Sequence, residues 1–416
     1  MKLFCRILIP LISLVALVLL GGTNVLADVV VECPTWSAGP GSPINYTGGT
    51  FIDSNGDGMI RADDSEITAP VSDTQVCLHL AAGDGLVNMA DGREQYMFGF
   101  ANATGTPNSQ VLNVFMEGAV FPAPTIKLKQ GDDVYLTLTN VGMNRRPDLF
   151  DPHTVHWHGF PNASAVFDGV PDASISINMG SSLTYYYHVV DPGTFMYHCH
   201  VEAAEHMQMG MLGNLYVTTA QDGTSFEYPV SSGKFYTKFA YNDGDGSTGY
   251  DVDYPLQLAA FDPTFHDASF NIQTLPFANM DDKYPMFNGR GYPDTVKPLG
   301  DLPLHNHSTS SPVSTLMTPT AGDRMLIRIS SLSTTSFHTI GIFGLKMQVV
   351  GQGSRQLKEP YMTNSITIGG GESVDVIIDT AGTTAGEKYF VYATNLDHLS
   401  NDGQDYGGMM TEIQIQ

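Results

Sequence analysis

The chain predicts an all-β fold, a sandwich or barrel built twice, and three observations carry that prediction. Short β-branched and aromatic runs recur at close spacing, glycine and proline punctuate them throughout (43 and 24 residues of 416), and few stretches show helical periodicity. A weakened echo of the front half in the back half supplies the duplication.

Taken in order, Met1-Lys2 and Arg6, an apolar run from Ile7 to Leu20, and Val25-Leu26-Ala27 before Asp28 have the three parts of a secretory leader. Residues 1–27 are therefore excluded from the fold, and the remainder is expected to be exported, to the periplasm or beyond the cell. The apolar run is too short to span a bilayer comfortably, and no later segment is as apolar, so no membrane span is expected. The formal charge of -24 argues against nucleic acid or an anionic membrane as partner, both of which require basic patches.

Residues 28–75 read as a Gly- and Asp-rich extension. Within it, Asp53, Asn55, Asp57, Met59 (through its backbone carbonyl) and Asp64 fall at calcium-loop spacing, with Gly58 at the turn and Ile60 at the aliphatic position. Aspartate replaces the usual glutamate at the last position, and no clear helix flanks the loop. A structural calcium and an Asx-rich surface turn both fit. Of the four cysteines, Cys5 leaves with the leader and Cys199 lies among histidines. Cys33 and Cys77 remain as a disulfide in an oxidising compartment or a free pair.

A first domain is expected over residues 76–220. Thr125–Gly142 reads as strand, Gly-Asp-Asp turn and strand; Leu183–Val189 and Thr194–His200 are short runs parted by Asp191-Pro192-Gly193; Leu215–Thr219 follows. The second domain, residues 221–416, repeats the plan, with the join at about 221–240. There Thr320–Ile329 echoes Leu128–Thr137, Ile366–Gly371 and Val374–Asp379 form another strand-turn-strand, and Tyr389–Asn395 stands where the cysteine strand stands in front.

Two strings in the first domain carry the chemistry: His153-Thr-Val-His156-Trp-His158-Gly159, and His198-Cys199-His200 followed by His206 and Met211. A thiolate, imidazoles and a thioether are a donor set for copper, with zinc as competitor; two histidines, one cysteine and a weak axial methionine make a blue electron-transfer centre. The expected ligands are His153, Cys199, His206 and Met211. Because side chains alternate along a strand, His198 and His200 must point away from Cys199 toward a second metal position.

These strings resemble those of the multicopper oxidases, over about residues 76–416 and most closely between Val120 and Val217. The resemblance implies two cupredoxin-like Greek-key domains. It also implies a type 1 copper at His153, Cys199, His206 and Met211, and a type 2/3 copper group at His156, His158, His198 and His200. Asp168, in Phe167-Asp168-Gly169-Val-Pro171, resembles the family's acid beside that group; a turn aspartate is the other reading. The implied activity is one-electron oxidation of a small-molecule, metal-ion or protein donor at the solvent-near edge of His206. Transfer then runs through Cys199 and its flanking histidines to a second site that reduces dioxygen.

The chain departs from that pattern in the second domain. Aligning His338-Thr-Ile-Gly341-Ile-Phe343-Gly344 with the first string, and Tyr392-Ala393-Thr394-Asn395 with Tyr197–His200, removes the copper motif. His305-Asn-His307, His338 and His398 remain as scattered histidines, which complete a group across the subunits of a homotrimer or are solvated. The gap from Cys199 to His206 is also long and contains Glu202 and Glu205, read as loop carboxylates, while Met207, Met209 and Met211 read as one face of a strand. Two rivals to the oxidase follow: a cupredoxin electron carrier with a degenerate cluster, and an enzyme like the copper nitrite reductases.

Overall fold

A computed structural model of the chain describes residues 59–60, 74–104, 106, 108–298 and 313–416. The leader, Cys33, Asp53, Asn55, Asp57, Asp64, His305 and His307 lie outside the described residues. Of the expected calcium loop only the backbone of Met59 and Ile60 is described, paired in parallel with Thr125 and Ile126. Cys77 is disulfide-bonded, which leaves Cys199 as the free cysteine among the described residues.

The all-β expectation holds. In the front sandwich a four-stranded sheet runs in the order Glu94–Asn102, Gln75–Asn88, Asp133–Gly142, Ser182–His188. It faces a sheet ordered Met59–Ile60, Ala123–Lys129, Leu212–Thr218, Gly193–His198, His156–His158. Strand Asp133–Gly142 shows why this sequence makes a sheet: Val134, Leu136 and Leu138 enter the core, while Thr137 and Thr139 hydrogen-bond Thr184 and Ser182 on the neighbouring strand. The rear sandwich pairs a six-stranded sheet with a four-stranded one, the latter ordered Ser365–Ile368, His338–Ile342, Lys388–Ala393, Met410–Gln414.

The expected strand-turn-strand units have the right strands but not hairpin pairing. Ala123–Lys129 and Asp133–Gly142 lie in opposite sheets, as do Ser365–Ile368 and Glu372–Asp379. Each turn crosses between layers, because consecutive strands here bury their apolar faces against each other rather than share a ladder. The internal echo is real in detail. The Asp132 carboxylate accepts from the Lys129 amide (2.8 Å), and Asp323 accepts in the same way from Thr320 (2.8 Å).

An apolar seam joins the sandwiches, with Met97, Phe121, Met196 and Leu212 packed on Phe261, Tyr284, Met286 and Leu332. The Phe121 and Phe261 rings lie 4.2 Å apart. Polar contacts flank the seam: Thr194 donates to Asp375 (2.5 Å), and the buried Arg328 guanidinium sits 4.6 Å from the centre of the Tyr216 ring.

Trp157 anchors the first histidine string. It is fully buried and stacks on Tyr187 at 3.7 Å, so the alternating neighbours His156 and His158 must face the other way. Trp157→Ala is expected to lower unfolding free energy by about 3–5 kcal/mol, measured by denaturant titration, with loss of metal from the group containing His156 and His158.

Candidate metal centre

His153, Cys199 and His206 converge, with one donor atom of each within 4.8 Å of the others and all three residues buried. His153 is fixed by a two-way bridge to Ile177 (3.0 and 2.9 Å). The Cys199 sulfur lies 3.2 Å from His206 Nδ1 and 3.9 Å from His153 Nδ1. Met211 is buried and locked to this group through its backbone: its amide donates to His206 O (2.8 Å) and its carbonyl accepts from Cys199 N (3.1 Å). The Thr154 amide points at Sγ from 3.5 Å. Burial pushes the Cys199 thiol up to about 11 and His206 down to about 4, and it holds His153 well below its ordinary value with His206 adding to the effect. All three side chains are closed to solvent. The Nε2 atoms of both histidines are buried without a hydrogen-bond partner.

Two expectations fail around His206. The segment after Cys199 is not a strand carrying Met207, Met209 and Met211 on one face, nor an open loop; Ala203–Gln208 is a short helix entered through Glu202 in the left-handed region (φ 43°) and ended at Met209. The two alanines and Glu205 favour helix, and the tertiary pocket supplies the rest. Nor does His206 present an exposed edge, being fully buried with the Phe98 ring 5.6 Å away. Glu205 is also no free loop carboxylate: burial first, then Glu202 and Asp151, push it up to about 7.

The other four histidines form a second group. Donor atoms of His156, His158 and His198 lie within 4.8 Å of one another, and the His200 ring is 5.1 Å from that of His156. Strand pairing sets this up, since His156 stands opposite His198. Hydrogen bonds then orient the rings: His156 Nδ1 donates to Asp168 O (2.6 Å) and His198 Nδ1 to Cys199 O (2.8 Å), which leaves their Nε2 atoms to a ligand. His198 Nε2 faces His158 Nδ1 at 3.3 Å. Desolvation is the first cause lowering His156, His158 and His198, the last to about 3. Asp168 is at this group, with a carboxylate oxygen 3.6 Å from His156 Nδ1.

Three residues that shape both groups carry no sequence signal. Thr154 reaches Cys199 through its amide and His200 through its hydroxyl, which accepts from His200 N (3.1 Å). The Tyr185 hydroxyl accepts from Val155 N (3.2 Å) within the first string. Gly371, from the rear sandwich, sits against His158, where a Cβ would lie 2.7 Å from Nε2.

The remaining histidines do not join either group among the described residues. His338 and His398 lie together in the rear sandwich, with their Nδ1 atoms 3.2 Å apart. Strand pairing also corrects the alignment of the back half: Gly341 stands opposite Tyr392, as His156 stands opposite His198. Ala393, rather than Thr394, therefore occupies the position of Cys199.

Family models described as multicopper oxidase match residues 101–222 and 273–411, together well over half of the chain. Laccase-2 of Cryptococcus neoformans var. grubii is 24% identical over 359 residues, covering 82% of this chain and 53% of that protein. The chain thus spans about half the length of that curated relative. Among solved structures, the blue copper oxidase from Nitrosomonas europaea aligns with a TM-score of 0.60 at 24% identity, covering 82% of this chain and 86% of that one. The multicopper oxidase mgLAC aligns with a TM-score of 0.60 at 21% identity, covering 82% and 87%. Both likenesses are of fold, and the fold is the cupredoxin sandwich. With matched models on both sandwiches, the chain belongs to the multicopper oxidase family, which binds copper.

Proposed function

We propose that the chain is an exported copper-dependent oxidoreductase that moves single electrons from a donor to dioxygen. The carrying observation is the run His198-Cys199-His200, whose thiol belongs to one histidine group while its two flanking rings belong to the other. The residues fit the metal: both His153 and His206 turn Nδ1 toward the one free described thiol in a pocket closed to water, a soft and borderline donor set suited to copper. His153, Cys199, His206 and Met211 would hold the first copper, and His156, His158, His198 and His200 the second group.

The chemistry that bound copper supplies is one-electron oxidation of the donor coupled to reduction of dioxygen. The chain's part is to hold and connect. Cys199 and His198 are adjacent in sequence, and the His198 N–H closes a second link onto the Cys199 carbonyl. Burial fixes the Cys199 surroundings in one geometry, so little reorganisation accompanies a change of charge. Asp168 keeps about one third of its side chain open to solvent beside His156, a position from which a carboxyl group relays protons inward. Since its backbone carbonyl orients His156, Asp168→Asn should leave copper content intact while oxygen reduction falls about 100-fold, read as oxygen uptake against metal analysis.

The donor must be served without direct contact to His206, through the surface over its helix, where Glu202 and Asp151 lie near Glu205. Export agrees with the Cys77 disulfide, which needs an oxidising compartment. No helix of the described residues is long and apolar enough to cross a membrane. Gly341 and Phe343 stand where His156 and His158 stand in front, so in a homotrimer we assign completion of the second group to the His305-Asn-His307 pair of a neighbouring copy.

Metal analysis with oxygen uptake on a phenol or ferrous donor tests the reading. More than one copper per chain with uptake supports it. One copper without uptake leaves an electron carrier, and consumption of nitrite in place of dioxygen leaves a nitrite reductase.

A further inference from the structure

The rear sandwich keeps the frame of the first copper pocket with one ligand position emptied of sulfur. In front, Cys199 N donates to Met211 O (3.1 Å) and Met211 N to His206 O (2.8 Å); behind, Ala393 N donates to Met409 O (2.9 Å) and Met409 N to His398 O (2.8 Å). His153 precedes the paired position His156 by three residues, and His338 precedes Gly341 by three. Position for position, His338, Ala393, His398 and Met409 therefore stand where His153, Cys199, His206 and Met211 stand. The thiol has become a methyl group, while both imidazoles and the thioether remain.

The side chains bear this out. His338, Ala393 and Met409 are fully buried, whereas His398 lies half-buried at the rim, next to the exposed Leu396. The two rings face each other through Nδ1 at 3.2 Å. Two nitrogens bound to one metal at about 2.0 Å each are about 3.3–3.5 Å apart, according to whether three or four donors surround it, so the spacing needs only a small adjustment. The far side of His338 is held as well, with Nε2 2.6 Å from Ser333 Oγ, and a proton placed there leaves the Nδ1 lone pair directed at His398.

We propose that His338, His398 and Met409 form a third, independent metal site that takes a cuprous ion. Two neutral imidazoles and a thioether bring no negative charge, which disfavours a divalent ion and suits the soft monovalent one. Entry is from the His398 rim. Binding moves the His398 proton from Nδ1 to Nε2, where solvent accepts its hydrogen bond, so no net proton is released. The site holds copper without the thiolate that gives colour, and it does so whether or not the front centre turns over.

The experiment uses the full chain with Cys199→Ser, so that the front thiolate is absent, and cuprous ion supplied anaerobically in competition with a chromogenic chelator. Adding His398→Ala should reduce uptake by one equivalent; equal uptake by the two proteins overturns the proposal. In the otherwise wild-type chain, His398→Ala should leave the front blue absorption unchanged, which separates failure here from failure of the oxidase reading. A constructive variant covers the case in which His398→Ala does not fold. Cys199→Ser with Ala393→Cys should regain an intense blue absorption when cupric ion is added, and a colourless protein would overturn the assigned geometry.

Discussion

Cys199→Ser is expected to abolish the blue thiolate absorption and to reduce donor-dependent oxygen uptake to background. Every other described candidate for colour is removed by geometry, because Cys199 is the free cysteine among the described residues and Cys77 is in a disulfide. The loss should not come from unfolding. The serine hydroxyl keeps the neighbours of the thiol, the Thr154 amide and the Val201 carbonyl, which stand 3.5 Å and 3.8 Å from Sγ, but its shorter bond leaves it without a full hydrogen bond to either until they move in. Burying that hydroxyl therefore costs about 1–3 kcal/mol, which a folded domain of about 5–15 kcal/mol withstands. Copper at His156, His158, His198 and His200 should remain, since none of those rings depends on the sulfur for its orientation. Metal analysis, visible absorption and thermal melting on one preparation separate the three quantities. A variant that keeps the blue band would sink the assignment of the first pocket.

The two groups were legible in the sequence because their chemistry is local: a thiol between two histidines on a strand must divide its donors between two faces. The same locality explains what was missed. Trp157 turns His156 and His158 outward by strand alternation, but Thr154 and Tyr185 act through a backbone amide or hydroxyl whose partner lies far along the chain. No motif marks such contacts. For the helix Ala203–Gln208 the sequence suggests a strand or loop, because methionines at every second position mimic strand periodicity over a span too short to decide, and burial of His206 follows from that helix. In the rear sandwich the one-residue error at Ala393 had the same origin. With the cysteine gone, only strand pairing fixes the register, and a single-residue slip moves every side chain to the other face.

Gly371→Ala should disable the second group while leaving the first intact. Gly371 lies in the turn between Ser365–Ile368 and Glu372–Asp379, with its amide donating to Ser331 O (2.8 Å) and φ at 85°. A Cβ there would lie 2.7 Å from His158 Nε2 and 3.0 Å from its Cε1, closer than a real Cβ comes to a neighbour. Either the ring or the turn must move. The ring is the softer of the two, because the turn is tied to the rear sheet, so His158 should leave its position beside His198. Copper in the second group and oxygen uptake should fall together, by tenfold or more, roughly what the loss of a well-placed metal ligand or its support costs. The blue absorption and its reduction by donor should persist, since the atoms an added Cβ meets first all belong to His158. Backbone strain alone is controlled for by Gly382→Ala: φ there is 88°, and nothing lies within 4 Å of the added carbon. Both substitutions carry the same left-handed penalty of about 1–2 kcal/mol, but only Gly371→Ala meets a histidine. Equal loss of oxygen uptake in the two variants would show that the rear sandwich influences the second group through stability alone, and not by touching His158.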